Sequence, residues 1–105
     1  MPLYNLASRR RLDPETRRRV AIAITETHCQ QTGAPAAFVN VIFIDGYPLR
    51  SGREIEAIGG VRNDGNRTPE LIEQLRVSLH AAIAEAARLR PAQVTVGLIG
   101  VPSSW

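Results

Sequence analysis

Asp13-Pro14-Glu15-Thr16-Arg17-Arg18-Arg19-Val20 and Thr68-Pro69-Glu70-Leu71-Ile72-Glu73-Gln74-Leu75 decide the fold, because each opens a helix in the same way and they lie 55 residues apart. In the first, Asp13 can accept from the free amides of a first turn, Pro14 fits the first helical position because its missing donor had no partner there, and Glu15 faces the positive end of the dipole. Thr68-Pro69-Glu70 repeats that signal. Val20, Ile24 and His28 then recur every four residues, flanked by Ala21 and Ala23, and Gly33 supplies a stop, which predicts a helix over 14 to 32. Leu71, Leu75, Leu79, Ala82 or Ile83 and Ala86 mark a second apolar stripe that ends before Pro91. The offset of 55 also carries Val20 onto Leu75, Ile24 onto Leu79 and His28 onto Ile83, a weak internal repeat.

Strands flank both helices. Pro2 to Ala7, with Leu3, Tyr4 and Leu6, reads as a first strand ahead of the polar Ser8-Arg9-Arg10-Arg11. Phe38-Val39-Asn40-Val41-Ile42-Phe43-Ile44 is nearly continuous in apolar character and ends at Asp45-Gly46, the pattern of a central strand covered on both faces. Residues 54 to 62 alternate weakly as a third strand, 62 to 67 form a turn-rich connection, and Val94 to Val101 is a last strand thinned by Gly97 and Gly100. The order is β-α-β-β-α-β, an α/β domain of two βαβ units forming one four-stranded mixed sheet. Right-handed crossovers set both helices on one face of it and leave the other face bare in a monomer, so subunit association is expected.

The 105 residues support a single domain spanning 1 to 105, and 44% apolar with 22% charged residues is ordinary globular composition. All 13 basic residues are arginine, against 10 acidic ones, for a formal charge of +3. The guanidinium stays charged and its planar fork suits carboxylates and phosphates, so anionic ligands are favoured. Six of the arginines fall within 9 to 19, but Asp13 and Glu15 interrupt them and no aromatics interleave. That cluster reads as a solvated face, with nucleic acid not expected as a partner. Cys29 is the one cysteine and cannot form an internal disulfide. With no apolar run long enough for a membrane span and no apolar segment after Arg9 to Arg11, a cytoplasmic protein without membrane attachment is expected. No Cys/His grouping has metal-ligand spacing, and Gly59-Gly60 is too short for a phosphate loop, so neither metal nor cofactor is expected.

Pro2 is the first candidate for chemistry. An initiator Met followed by Pro is normally trimmed, which would leave a secondary amine at the start of a strand. Apolar surroundings or a nearby Arg favour the neutral form of such an amine, and a neutral amine can abstract a proton. With Met1 retained, Pro2 is an amide nitrogen without basicity. His28, taken from its spacing alone, completes the Val20 and Ile24 stripe as a partly buried histidine. Cys29 reads as a small packed residue. Tyr47 and Trp105 fit either a subunit interface or a pocket mouth.

Met-Pro2 followed by strand, helix, long strand and a second βαβ unit resembles the tautomerase superfamily, which includes 4-oxalocrotonate tautomerase and macrophage migration inhibitory factor. Ala23-Ile24-Thr25-Glu26-Thr27-His28, Thr32-Gly33, Val39-Asn40-Val41-Ile42-Phe43 and the stretch from Arg62 to Arg67-Thr68 are similar to the cis-3-chloroacrylic acid dehalogenase branch, over about residues 2 to 102. The resemblance implies that Pro2 is the catalytic acid or base, that His28 helps hold a substrate carboxylate, and that Arg62 and Arg67 bind and polarise it. It also implies a homotrimer. The relatives keep their two arginines three apart, whereas Asn63-Asp64-Gly65-Asn66 widens the gap here to five, which favours Arg67 over Arg62. They also carry a Tyr and a Glu after the fourth strand that activate water. Gly97 or Leu98 stands where that Tyr is expected, and no carboxylate follows Glu85.

The expected activity is therefore keto-enol or double-bond isomerisation of small 2-oxo or enol carboxylic acids, with neutral Pro2 as base, Arg62 and Arg67 as anion clamp and His28 as hydrogen-bond donor. Proton transfer of this kind needs only a base and a clamp. One alternative keeps the fold and uses protonated Pro2 as an acid in hydration, dehalogenation or decarboxylation of an unsaturated acid. The other is a non-catalytic module that docks an anionic macromolecule on its arginines.

Overall fold

The computed structural model describes residues 2 to 62 and 67 to 101. Strand β1 (Leu3–Ser8) leads into helix α1 (Pro14–Thr32), strands β2 (Asn40–Ile44) and β3 (Ile55–Arg62), helix α2 (Pro69–Ala87) and strand β4 (Val94–Val101). Short 3-10 turns, Ala36–Phe38 and Pro91–Gln93, precede β2 and β4. Both helix starts form as the sequence dictates. The Asp13 carboxylate accepts from Thr16 N at 2.7 Å and Thr68 Oγ1 from Leu71 N at 3.1 Å, with Pro14 and Pro69 next in each case. Gly33, at φ 75°, ends α1, and its amide donates to Cys29 O. Helix α2 stops at Ala87 because Arg88 turns left-handed, at φ 59°, and donates its amide back to Ala84 O and Glu85 O.

The sheet order is β2-β1-β3-β4. β1 pairs parallel with β2 and antiparallel with β3, and β3 pairs parallel with β4, so the sheet is mixed. Both helices pack on one face. Tyr4 and Leu6 of β1, Ile55, Ala57 and Val61 of β3, and Val94 and Val96 of β4 alternate toward Val20 and Ile24 of α1 and Leu75, Leu79 and Ile83 of α2. The repeat holds in three dimensions: the two stripes related by 55 residues are buried throughout.

β2 departs from the sequence expectation. It is an edge strand, and only Val41 and Phe43 turn toward the helices, while Asn40, Ile42 and Ile44 are exposed on the opposite face. A nearly continuous apolar run reads as doubly covered, but here its second apolar face belongs to the open side of the sheet. Ile58 and Ile99 lie on that same side, and these four isoleucines keep 40 to 58% of their surface exposed. The arginine cluster is also less solvated than expected. Arg9 donates to the carbonyls of Leu49, Arg50 and Arg53, Arg17 pairs with Asp45 and lies 5.7 Å from the Phe43 ring, and Arg19 donates to Ala86 O at 3.0 Å. Arg10, Arg11 and Arg18 are the exposed members. No helix among the described residues is long and apolar enough to cross a membrane.

Candidate active site

One end of the molecule collects most of the candidate residues, and the topology explains why. β1 begins where β3 ends, with Leu3 opposite Gly60, and α1 ends where α2 begins, with Arg67 Nη1 donating to Thr32 O at 3.3 Å. Pro2 stands just before β1, half-buried, and its carbonyl accepts from Asn40 N at 3.1 Å.

Tyr4 is fully buried and lies over Gly59, its register partner. A Cβ at position 59 would fall 2.4 and 2.6 Å from Cε1 and Cδ1 of Tyr4 and 3.0 Å from Cδ2 of Leu98, so the ring occupies space that only glycine leaves. The two positions are also 55 residues apart, which makes them counterparts in the repeat. One half supplies a ring at this point and the other half supplies room for it.

His28 continues the α1 stripe, as its spacing indicates, and only 2% of its surface is exposed. Tyr4 Oη lies 2.6 Å from His28 Nδ1, and the rings meet edge to face at 5.7 Å and 79°. Burial, and then the positive charge of Arg67, lower the imidazole from its ordinary value to about 4, so it is neutral at physiological pH. Burial raises the Tyr4 phenol above its ordinary value, opposed by Arg67 and reinforced by Cys29, so it keeps its proton. Thr32 Oγ1 donates to His28 O at 2.7 Å, and with Arg67 on the Thr32 carbonyl the end of α1 links imidazole and guanidinium. The carbonyls at a helix C-terminus carry partial negative charge, which suits a cation docked there.

Arg62 stands apart from this group. It follows Glu56, Ile58 and Gly60 on the open side of the sheet, and its side chain is exposed, whereas Arg67 is half-buried near His28. The intervening 63 to 66, whose length set the expected spacing, and Trp105 lie outside the described residues. Tyr47 is exposed, with its amide donating to Ser8 O. Among the described residues no three His, Cys, Asp or Glu side chains gather as metal ligands would. Tyr4 is the member that the sequence did not single out. Its signal was present in two features: it follows Pro2 by two residues, and its repeat counterpart is a glycine. The assembled end, where β1 starts, offers the positive charge of Arg67, a neutral imidazole and a protonated phenol, a setting suited to an anion.

Comparison with solved structures identifies the class. The fold is that of the tautomerase superfamily, as the resemblance carried by Met-Pro2 and the β-α-β-β-α-β order implied. A member of the cis-3-chloroacrylic acid dehalogenase family matches at TM-score 0.83 with 28% identity, over 95% of this chain and 75% of that one. A fused 4-OT, wild type, an asymmetric trimer, matches at TM-score 0.81 with 16% identity over 97% and 88%. Pt0534, inactivated by 2-oxo-3-pentynoate, matches at 0.76 with 22% identity over 95% and 85%. No protein-family model matches the sequence, and no curated protein matches it.

Proposed function

We propose that this chain is a tautomerase-type isomerase acting on small 2-oxo or enol carboxylic acids, with Pro2 as its base. The observation that carries the proposal is the joining of Arg67, neutral His28 and buried Tyr4 at the end of the sheet where Pro2 begins the first strand. Once Met1 is removed, the Pro2 nitrogen takes a proton from the hydroxyl of an enol acid, or from the carbon beside the carbonyl of a 2-oxo acid, and returns it at another carbon or at oxygen. Arg67 holds the carboxylate and offsets the negative charge that develops on the dienolate oxygen, and His28 contributes a hydrogen bond. Arg62 joins the clamp from the opposite side of the sheet only if a second subunit brings it near. The bare face with Ile42, Ile44, Ile58 and Ile99 supports a homotrimer, and the fused 4-OT neighbour is a trimer. The inhibitor of Pt0534 is itself a small 2-oxo acid, which supports the substrate class.

Turnover of phenylenolpyruvate and 2-hydroxymuconate, with intact mass to establish the state of Met1, tests this. Pro2→Ala should abolish turnover, and Arg67→Ala should lower kcat/KM on the order of a hundredfold, while the exposed Arg10→Ala leaves it nearly unchanged. Turnover that survives Pro2→Ala contradicts the proposal. A second reading, hydration or dehalogenation with protonated Pro2 as acid, is favoured by the 28% identity to a cis-3-chloroacrylic acid dehalogenase family member. Chloride release from cis-3-chloroacrylate distinguishes it.

A further inference from the structure

A neutral imidazole carries one N–H, and whatever engages its other nitrogen decides where that proton sits. His28 Nδ1 and Tyr4 Oη are 2.6 Å apart inside the core, so one of them donates to the other. If Nδ1–H donated, the phenolic proton would need a separate acceptor. Among the described residues Nδ1 is the one polar atom bonded to Oη, and Arg67, whose charge reaches both rings, can only donate. A buried hydroxyl without an acceptor is costly, so the phenol is the donor. We infer that Tyr4 is a positioning residue whose hydroxyl locks His28 into the Nε2–H tautomer, leaving Nε2–H as the donor available to a carboxylate held by Arg67.

The repeat shows that the fold itself does not require this pair. At the corresponding positions of the second half, Gly59 and Ile83, there is neither a hydroxyl nor an imidazole. The first half carries two polar rings at these positions, and the second half leaves position 59 without a side chain, in the space one of the rings occupies. Edge-to-face packing fixes the ring planes, so the hydroxyl meets Nδ1 in one orientation.

The ligand named here rests on the tautomerase reading, but the tautomer does not, and the experiment separates them. Side-chain 15N NMR of the full chain should show wild-type His28 with an unprotonated Nδ1 and a protonated Nε2. Tyr4→Phe keeps the packed ring and removes only the hydroxyl. It should give a mixture of the two tautomers and raise the Kd for acrylate, a carboxylate with nothing to tautomerise, by about tenfold. A wild-type imidazole protonated on Nδ1 overturns the inference without needing any variant, as does a Tyr4→Phe protein with unchanged acrylate affinity. Failure of the tautomerase reading appears elsewhere, as turnover that survives Pro2→Ala.

Discussion

Lowering the pH from 7 to 5 should destabilise the native state by about 2 kcal/mol through one side chain, His28. Its imidazole is held down to about 4 in the folded chain, by burial first and by Arg67 second, against about 6.5 when unfolded. Well above pH 6.5 neither state binds this proton, and the contribution of His28 is flat. Between 6.5 and 4 the unfolded chain binds a proton that the native chain refuses, so stability falls as pH falls, by about 1.4 kcal/mol per pH unit at the steepest. Below 4 both states are protonated, and the loss levels off at about 3 kcal/mol. Urea unfolding at pH 7, 6 and 5, at one protein concentration, reads the effect as a midpoint lowered by about 1 to 2 M. Asp13, Glu15 and Glu73, whose carboxyls lie below their ordinary range, stay ionised across this window. His28→Asn, which leaves an acceptor near the Tyr4 hydroxyl and nothing to titrate, should lose that dependence. Equal pH dependence in the two proteins refutes the reasoning.

Gly59→Ala should cost about 1 to 3 kcal/mol, because its Cβ meets two ring carbons of Tyr4 inside a packed core, and thermal melting should fall by several degrees. Ile42→Glu combined with Ile99→Glu puts charge on the open sheet face. It should leave far-UV circular dichroism intact while sedimentation shifts to monomer, and an unchanged assembly would show that this face is not the interface. Arg88→Gly should gain about 0.5 to 1 kcal/mol, since glycine adopts the left-handed turn that Arg88 adopts at a cost, measurable as a raised urea midpoint.

How much was legible in the sequence follows from the range of each signal. The limits of α1 could be read because Pro14 and Gly33 act locally, and β4 because Val94, Val96, Leu98, Ile99 and Val101 carry its apolar pattern through Gly97 and Gly100. The end of α2 could not be placed beyond a limit at Pro91, because a left-handed arginine leaves no compositional mark. β2 was misjudged because hydrophobicity on both faces reports burial in an assembly as readily as in a monomer, and one chain cannot distinguish them. His28 was legible as a stripe residue from its spacing, but its tie to Tyr4 depends on packing across 24 residues of chain. The expected preference for Arg67 over Arg62 was drawn from residues 63 to 66, which lie outside the described residues.

Selective 15N labelling of proline, followed by titration of the Pro2 nitrogen in the intact protein, probes the proposed base itself. If Pro2 is the base, its nitrogen is an unblocked secondary amine that is uncharged at pH 7 and becomes protonated only in more acidic solution. An amide signal that ignores pH, or an amine still protonated above pH 8, would contradict it.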